Sequence, residues 1–171
     1  MKLLVTHMYD SPCGTLLIAS FGNAICMCDW ISAARHPMSL AMIQRSLGAH
    51  LRTGSSTATE SAVRQLDEYF AGIRKTFNLN LMPTGSEFQQ EVWNSISQIS
   101  YGSTLSYSAL ACSIGRPKAC RAAASACASN LISILIPCHR AIASSGNLHH
   151  YRGGSDAKRY LLSLEASNVR L

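Results

Sequence analysis

The chain has 171 residues, 47% of them hydrophobic, and a formal net charge of +6. That length can bury a proper core, as one domain or as a small domain joined to a larger one, and the positive balance suits a polyanionic partner. The apolar runs "TLLIAS" and "LISILI" fall far short of the roughly 20 residues a bilayer span needs, and "MKLLVTHMYDSP" has no long apolar core followed by a small-residue cleavage site, so neither a membrane anchor nor export is expected and the chain reads as cytoplasmic.

In chain order, "TLLIAS" (15–20) and "AICMCDW" (24–30) flank the turn "FGN" and predict a hairpin in a small sheet. The seven cysteines are odd in number and follow no export signal, which points to reduced thiols rather than a disulfide framework. The one close pair, Cys26 and Cys28, falls in a strand pattern with no CxxC or HxxxH after it, so no metal site is expected. "LRTGSSTAT" is polar and reads as a loop. "TESAVRQLDEYFAGI" then predicts a helix with Thr59 as N-cap, Val63, Leu66, Phe70 and Ile73 at helical spacing, and Gly72 near its end.

The pattern changes near Pro83. "GSEFQQEVWNSISQI" places Ser86 and Gln89 in capping-box register, with Phe88, Val92, Ile96 and Ile99 as the buried stripe. Ser106 is placed to cap a short helix that Gly115 stops, and a second helix is expected from Lys118, after Pro117. Two short helices joined by Gly-Arg-Pro form a helix-turn-helix pattern. The fold class that follows is α+β: a small N-terminal domain with a β-sheet and helix (1–82), then a mainly helical C-terminal domain (83–171) containing the helix-turn-helix. No internal repeat interrupts it.

The second of those helices is lined by small residues from Ala119 to Ala128, with Arg121 the one long side chain among them. Such a face serves either tight packing inside the protein or close approach to a nucleic-acid groove, with Arg121 able to enter where a base has left the stack. Between Ser113 and Leu164, Arg116, Lys118, Arg121, Arg140, Arg152, Lys158 and Arg159 are countered only by Asp156, so this half is the expected phosphate-contacting side.

In "ILIPCHR", Ile134–Ile136 read as a short buried strand or extended segment, Pro137 forbids its simple continuation, and Cys138 is left at a fixed turn at the edge of the core. Its thiol is core filler, metal ligand or nucleophile. His139 is adjacent, and since neighbouring side chains seldom face one another, a bridging water is the natural link. His139, Arg140 and the basic surroundings are expected to lower the thiol pKa. In the last helix, "SDAKRYLLSLEA", Ser155 is the expected N-cap, and Glu165 either is solvated at the helix end or orients His139. Asn130 either stops its helix or also holds the Cys138 turn. Cys112, Cys120 and Cys127 read as small packing residues without a redox role.

"IPCHR", preceded by "RAAASACASN" and followed by "SSGNLHHYRGG", resembles the active-site region of the methylated-DNA-protein-cysteine methyltransferases, and "SPCGTLLIAS", "QLDEYFAG" and "GSEFQQEVWNSISQISYGSTLSYSALACSIGRPKACRA" extend the resemblance over most of the chain. It implies that 1–82 is a ribonuclease-H-like α/β domain and 83–171 a DNA-binding alkyltransferase domain. The implied activity is DNA repair by irreversible, once-only transfer of an alkyl group from the 6-oxygen of guanine to Cys138, by a monomer without cofactor acting on the minor groove of double-stranded DNA. It further implies that Cys138 is activated through water and His139 with Glu165 behind it, that Asn130 orders the turn and that Tyr107 donates to the base. Arg121 becomes the finger that fills the gap, with Arg116, Lys118, Ala122, Ser125 and Arg140 also on the DNA side. Ile136, Pro137, Ala141, Tyr151 and Arg152 would form the substrate pocket, with the carbonyls of Cys138 and Ala141 receiving the guanine amine. Ser100 and Leu131 stand where this family often has proline, and Ala141 where it usually has valine. Two rival readings are a sensor that binds alkylated DNA without repairing it, which Cys138 argues against, and a Cys-His thiol hydrolase or acyl transferase, which would need an oxyanion hole and a small-molecule cleft.

Overall fold

The computed structural model describes residues 1–169. The chain divides into two compact units, Met1–Thr84 and the part from Gly85 onward.

In the first unit, strands β1 (Leu3–Ser11), β2 (Gly14–Phe21) and β3 (Ala24–Trp30) run as an antiparallel meander, and β4 (His50–Thr53) pairs parallel to β1, giving the order β3-β2-β1-β4. Helix α1 (His36–Leu47) makes the crossover that this parallel pair requires. The expected hairpin is therefore β2–β3, turning at Gly22, whose φ of 60° is one that glycine adopts freely. β1, α1 and β4 escaped the sequence reading. Of α1 only Ile43 is buried while Met38 and Met42 face outward, so its apolar residues trace no stripe. β4, three of whose four residues lie in the stretch read as loop, is exposed at all four positions.

Helix α2 (Thr57–Phe70) packs on the sheet through Ala62, Leu66 and Tyr69. Its N-cap is Ser56, not Thr59: the Ser56 hydroxyl accepts from the Thr59 N–H at 3.1 Å, and Thr59 Oγ1 accepts from the Ser56 N–H at 2.8 Å, so Thr59 is the far half of a capping box. Ile73 lies beyond the helix and is exposed. The return segment is tied down by Gln65, whose amide exchanges two hydrogen bonds with the Asn78 backbone (2.8 and 3.0 Å), and by Ile25, whose backbone bonds Asn80 and Met82.

The second unit is mainly helical: α3 (Glu87–Ile96), α4 (Tyr107–Ser113), α5 (Cys120–Ala128) and α6 (Gly154–Asn168), with a two-residue parallel pair, β5 (Leu105–Ser106) and β6 (Ala141–Ile142). Ser86 and Gln89 form the expected capping box on α3, and Ser106 caps α4 as expected. Other boundaries differ. α3 stops at Ile96, so Ile99 lies outside it, and α5 begins at Cys120 because Pro117 and Lys118 are spent on the turn. Ser155 is inside α6, whose cap is Gly153, with no side-chain capping bond. α5 packs against α3 and α4, and buried Trp93 on α3 donates its indole N–H to the Ala126 carbonyl on α5 at 2.8 Å. The β5–β6 pair sets Leu105 opposite Ala141, which brings the start of α4 to the segment just after Cys138.

Gly85 sits under the Trp93 indole, where a Cβ would lie 2.4 Å from the ring and 2.7 Å from Gln89 Oε1. Gly85→Ala therefore has to displace the tryptophan that bridges α3 and α5. A loss of about 1–3 kcal/mol is expected from this overpacking, read as a lower urea midpoint than that of the unsubstituted chain.

Candidate active site

Asn130, just past α5, is the centre around which the next eight residues fold. Its carbonyl oxygen accepts from Ile132 N–H at 2.9 Å, and its amide nitrogen donates to the Ile136 carbonyl and to Cys138 Sγ, both at 3.0 Å. The segment drawn around it is a tight turn, not the strand or extended segment expected. Ile136 N–H bonds back to Ile132, and Ile134 has φ of 70°, a left-handed conformation that a β-branched residue adopts only under constraint. Pro137, at φ −82° and ψ 61°, forms an inverse γ-turn in which Cys138 N–H bonds the Ile136 carbonyl at 2.8 Å. A single 3₁₀ turn, Cys138–Arg140, follows.

That turn carries His139 and Arg140 inward to Glu165 on α6. His139 Nε2 donates to Glu165 Oε1 at 2.7 Å. Arg140 grips both carboxylate oxygens through Nε and Nη2 at 2.9 and 3.0 Å, and its Nη1 donates to the Ile99 carbonyl at 2.7 Å. The Gly102 N–H supplies a further donor to Oε2 at 3.0 Å. Glu165 is fully buried, so it is not a solvated helix-end residue. Burial alone would raise its pKa, but the bonds and charges of His139 and Arg140 outweigh this and hold it down at about 2. Burial lowers the pKa of His139 despite the carboxylate, so the ring is neutral at pH 7. With its proton on Nε2 towards Glu165, Nδ1 is an acceptor; it is buried and has no hydrogen-bond partner among the described residues.

Cys138 is 3% exposed. Its thiol pKa is pushed well up, first by burial and then by the neighbouring Cys127 thiol, against the opposing pull of Asn130 and Lys158. This corrects the expectation of a lowered pKa: the basic residues nearby are engaged elsewhere, and desolvation dominates. Tyr107, at the first turn of α4, is also buried and raised to about 12, so it remains a phenol donor.

Arg140 is corrected too. It was expected on the DNA side, yet it is buried and its guanidinium is committed to Glu165 and Ile99. The other DNA-side candidates are exposed. Arg121, Ala122 and Ser125 lie on the open face of α5, opposite buried Ala123, Ala126 and Cys127. Lys118 is on the turn before it, and Arg116 pairs with Glu91 at 3.1 Å and stacks over Phe88. Ile136, Pro137 and Ala141 are buried, and Tyr151 and Arg152 half-buried.

Lys158 was read only as part of the basic balance, but it is fully buried within the site. Its Nζ donates to the Ala141 carbonyl at 2.6 Å, stands 3.4 Å from Tyr107 Oη, and faces the Tyr107 and Tyr151 rings at 5.6 and 5.8 Å. Burial lowers its pKa. The spacing Lys158, Leu161, Glu165 placed it on the inward stripe of α6 and was the available signal.

Two family models match the chain: "6-O-methylguanine DNA methyltransferase, ribonuclease-like domain" over residues 4–83 and "6-O-methylguanine DNA methyltransferase, DNA binding domain" over 87–167. The chain belongs to this family. Its curated relatives include the methylated-DNA–protein-cysteine methyltransferase of Mycobacterium leprae, 38% identical over 160 residues that cover 94% of this chain and 91% of the relative. That of Methanosarcina barkeri is 48% identical over 109 residues, covering 64% and 69%. Among solved structures, the Mycobacterium tuberculosis O6-methylguanine methyltransferase matches with a TM-score of 0.83 at 36% identity, over 96% of this chain and 94% of that one, and a crystal structure titled as its OGT in complex with DNA matches equally. The 6-O-methylguanine DNA methyltransferase fold here thus comes with a buried Cys-His-Glu series on its DNA-binding domain.

Acid should loosen this site. Glu165 has a depressed pKa, so the stability of its ionised form is complete above the usual 4.5 and is lost as pH falls towards about 2; His139, held neutral, adds loss of the same sign below its usual 6.5. The carboxylate shift corresponds to on the order of 3 kcal/mol. The urea midpoint of the intact chain is expected to fall between pH 7 and pH 3, and Glu165→Gln should be less stable at pH 7 with a flatter acid limb.

Proposed function

We propose that this chain repairs DNA by accepting on Cys138 Sγ the alkyl group, typically methyl, carried on the 6-oxygen of guanine, once per molecule. The observation that carries the reading is the buried, acceptor-ready Nδ1 of His139, one residue from a buried thiol and backed by Glu165. At rest the thiol keeps its proton, which protects it from adventitious reaction. When the lesion is in place, the proton passes through a water to His139 Nδ1, and Glu165 stabilises the imidazolium. Sulfur then attacks the alkyl carbon, the carbon–oxygen bond breaks with its electron pair going to the departing guanine, and Tyr107 donates a proton to that base while the proton held on His139 makes good the loss, so that guanine leaves neutral. A thioether remains. It does not hydrolyse, and no neighbouring group removes it, so turnover ends.

The base reaches this site by leaving the duplex stack. Ala122 and Ser125 let the α5 backbone lie close to a minor groove, and Arg121 fills the gap. Arg116 gives up little to contact phosphate, because an exposed ion pair such as that with Glu91 is worth about 0–1 kcal/mol. In the pocket, the Ala141 carbonyl already accepts from Lys158, so the guanine amine takes its second lone pair or displaces the ammonium. Tyr151 and Arg152 move aside to admit the purine. The repair unit is a single chain acting on double-stranded DNA.

Incubation with excess duplex containing O6-methylguanine should saturate at one methyl per protein, located on Cys138 by peptide mass. Cys138→Ser should bind the duplex and transfer nothing. Methyl release beyond equimolar yield, or an unmodified Cys138 after incubation, would overturn the proposal, the latter in favour of a non-repairing sensor.

Arg121→Ala should slow transfer from duplex DNA by about tenfold or more, since base extrusion costs a few kcal/mol, and leave the reaction with free methylguanine base unchanged. Equal slowing of both reactions would remove the finger role.

A further inference from the structure

A buried cation is costly unless an anion answers it, and Lys158 pairs with no carboxylate among the described residues. The two acidic residues of its own helix are engaged elsewhere: exposed Asp156 pairs with Arg159, and Glu165 is taken by His139 and Arg140. The ammonium donates instead to the Ala141 carbonyl at 2.6 Å, stands 3.4 Å from Tyr107 Oη, and lies over the Tyr107 and Tyr151 rings at 5.6 and 5.8 Å. The two ring faces offset part of the charge. Packing does not ask for a charge here, since an uncharged chain of similar length would fill the same place beside Ala157 and Leu161 without the desolvation. The two oxygens that Lys158 reaches are those that the proposed reaction assigns to the base, one to receive the guanine amine and one to donate a proton. On guanine the amine carbon is flanked by ring nitrogens, so both contacts fall on one edge of the base.

We propose that Lys158 is a positioning residue that couples recognition of the guanine amine at Ala141 to proton donation by Tyr107, and so makes transfer selective for purines that carry the amine. The inference rests on the repair reading and settles how the amine gains its acceptor, by displacing the ammonium. At rest the ammonium makes its short hydrogen bond to the Ala141 carbonyl and reaches Tyr107 only at the long limit of one. Once the amine takes that carbonyl, Nζ moves to Tyr107 Oη, a shift of about half an ångström to an ordinary N–H···O length. The phenol oxygen then accepts from the cation while its own proton faces the base, which makes it a stronger donor. The sulfur–carbon bond forms, the carbon–oxygen bond breaks with its electron pair going to guanine, and the Tyr107 proton passes to the base. The phenolate left behind is held by the Lys158 charge until the proton on His139 replaces the one lost, and Lys158 keeps its own protons throughout. A base without the amine leaves the ammonium on the carbonyl and Tyr107 unassisted.

The test compares duplexes carrying O6-methylguanine and O6-methylhypoxanthine, which differ only by the exocyclic amine, in single-turnover transfer to the full chain at saturating protein. The unsubstituted chain should transfer from methylguanine faster by about tenfold or more, the worth of one hydrogen bond to a charged group. Lys158→Met should slow the methylguanine reaction by a similar factor and leave that of methylhypoxanthine little changed, so that the ratio of the two rates falls towards one. Lys158→Arg, which keeps the charge, should retain most of the preference. Equal slowing of both duplexes by Lys158→Met, complete loss included, is what a purely structural role produces and would overturn the proposal. Equal rates from the two duplexes in the unsubstituted chain would overturn it without any variant. Should neither duplex give up its methyl group to the unsubstituted chain, the repair reading fails and takes this inference with it; transfer with a ratio that Lys158→Met does not alter removes only the role of Lys158.

Discussion

The second unit is organised around one buried negative charge. A carboxylate with Glu165's burial is costly unless its oxygens are fully answered, and here they receive His139, both arms of Arg140 and the Gly102 amide. Those donors come from the 3₁₀ turn after Cys138 and from the loop ahead of β5, so satisfying one side chain of α6 fixes two otherwise irregular segments. The same bonds decide the chemistry. Because His139 must offer Nε2–H to Glu165, its other nitrogen is left as the acceptor, which is the form a base needs.

Asn130 does comparable work on the other side of the sulfur. Without sheet or helix to satisfy them, the backbone groups from Ile132 to Ile136 turn to its side-chain amide. The left-handed Ile134 costs of the order of 1–3 kcal/mol, and this cluster of buried hydrogen bonds and apolar side chains offsets it. The result is a thiol held at a defined place but kept protonated by its dry surroundings. Reactivity of the thiol is then conditional on loss of its proton to an acceptor.

Cys138 also has neighbours outside the Cys-His-Glu series. Lys158 is buried against the Ala141 carbonyl and two tyrosine rings, and Cys127 is buried on the inward side of α5, where its carbonyl accepts from the Asn130 N–H. Both follow from helix periodicity: each sits on the inward face of its helix, where a cation or a second thiol is brought to the site by the same packing that buries Leu161 and Ala126.

Local order alone was enough for much of this protein. Capping at Ser86 and Ser106, the Gly115 stop, the β2–β3 hairpin and the placing of Cys138 at a turn after Pro137 depend on residues a few positions apart, so periodicity and turn chemistry carry them. Elements whose residues are mostly exposed, such as α1 and β4, left no apolar pattern to read, and the segment Ile134–Ile136 was misread because its apolar composition cannot reveal that a side chain, rather than a strand, satisfies its backbone. Charge was the least legible property. Arg140, Lys158 and Glu165 are ordinary charged letters in the sequence, and only the folded chain decides that they are buried, because desolvation and pairing depend on which distant residues surround them. The raised thiol pKa of Cys138 arises in the same way, from packing that brings together positions separated along the chain.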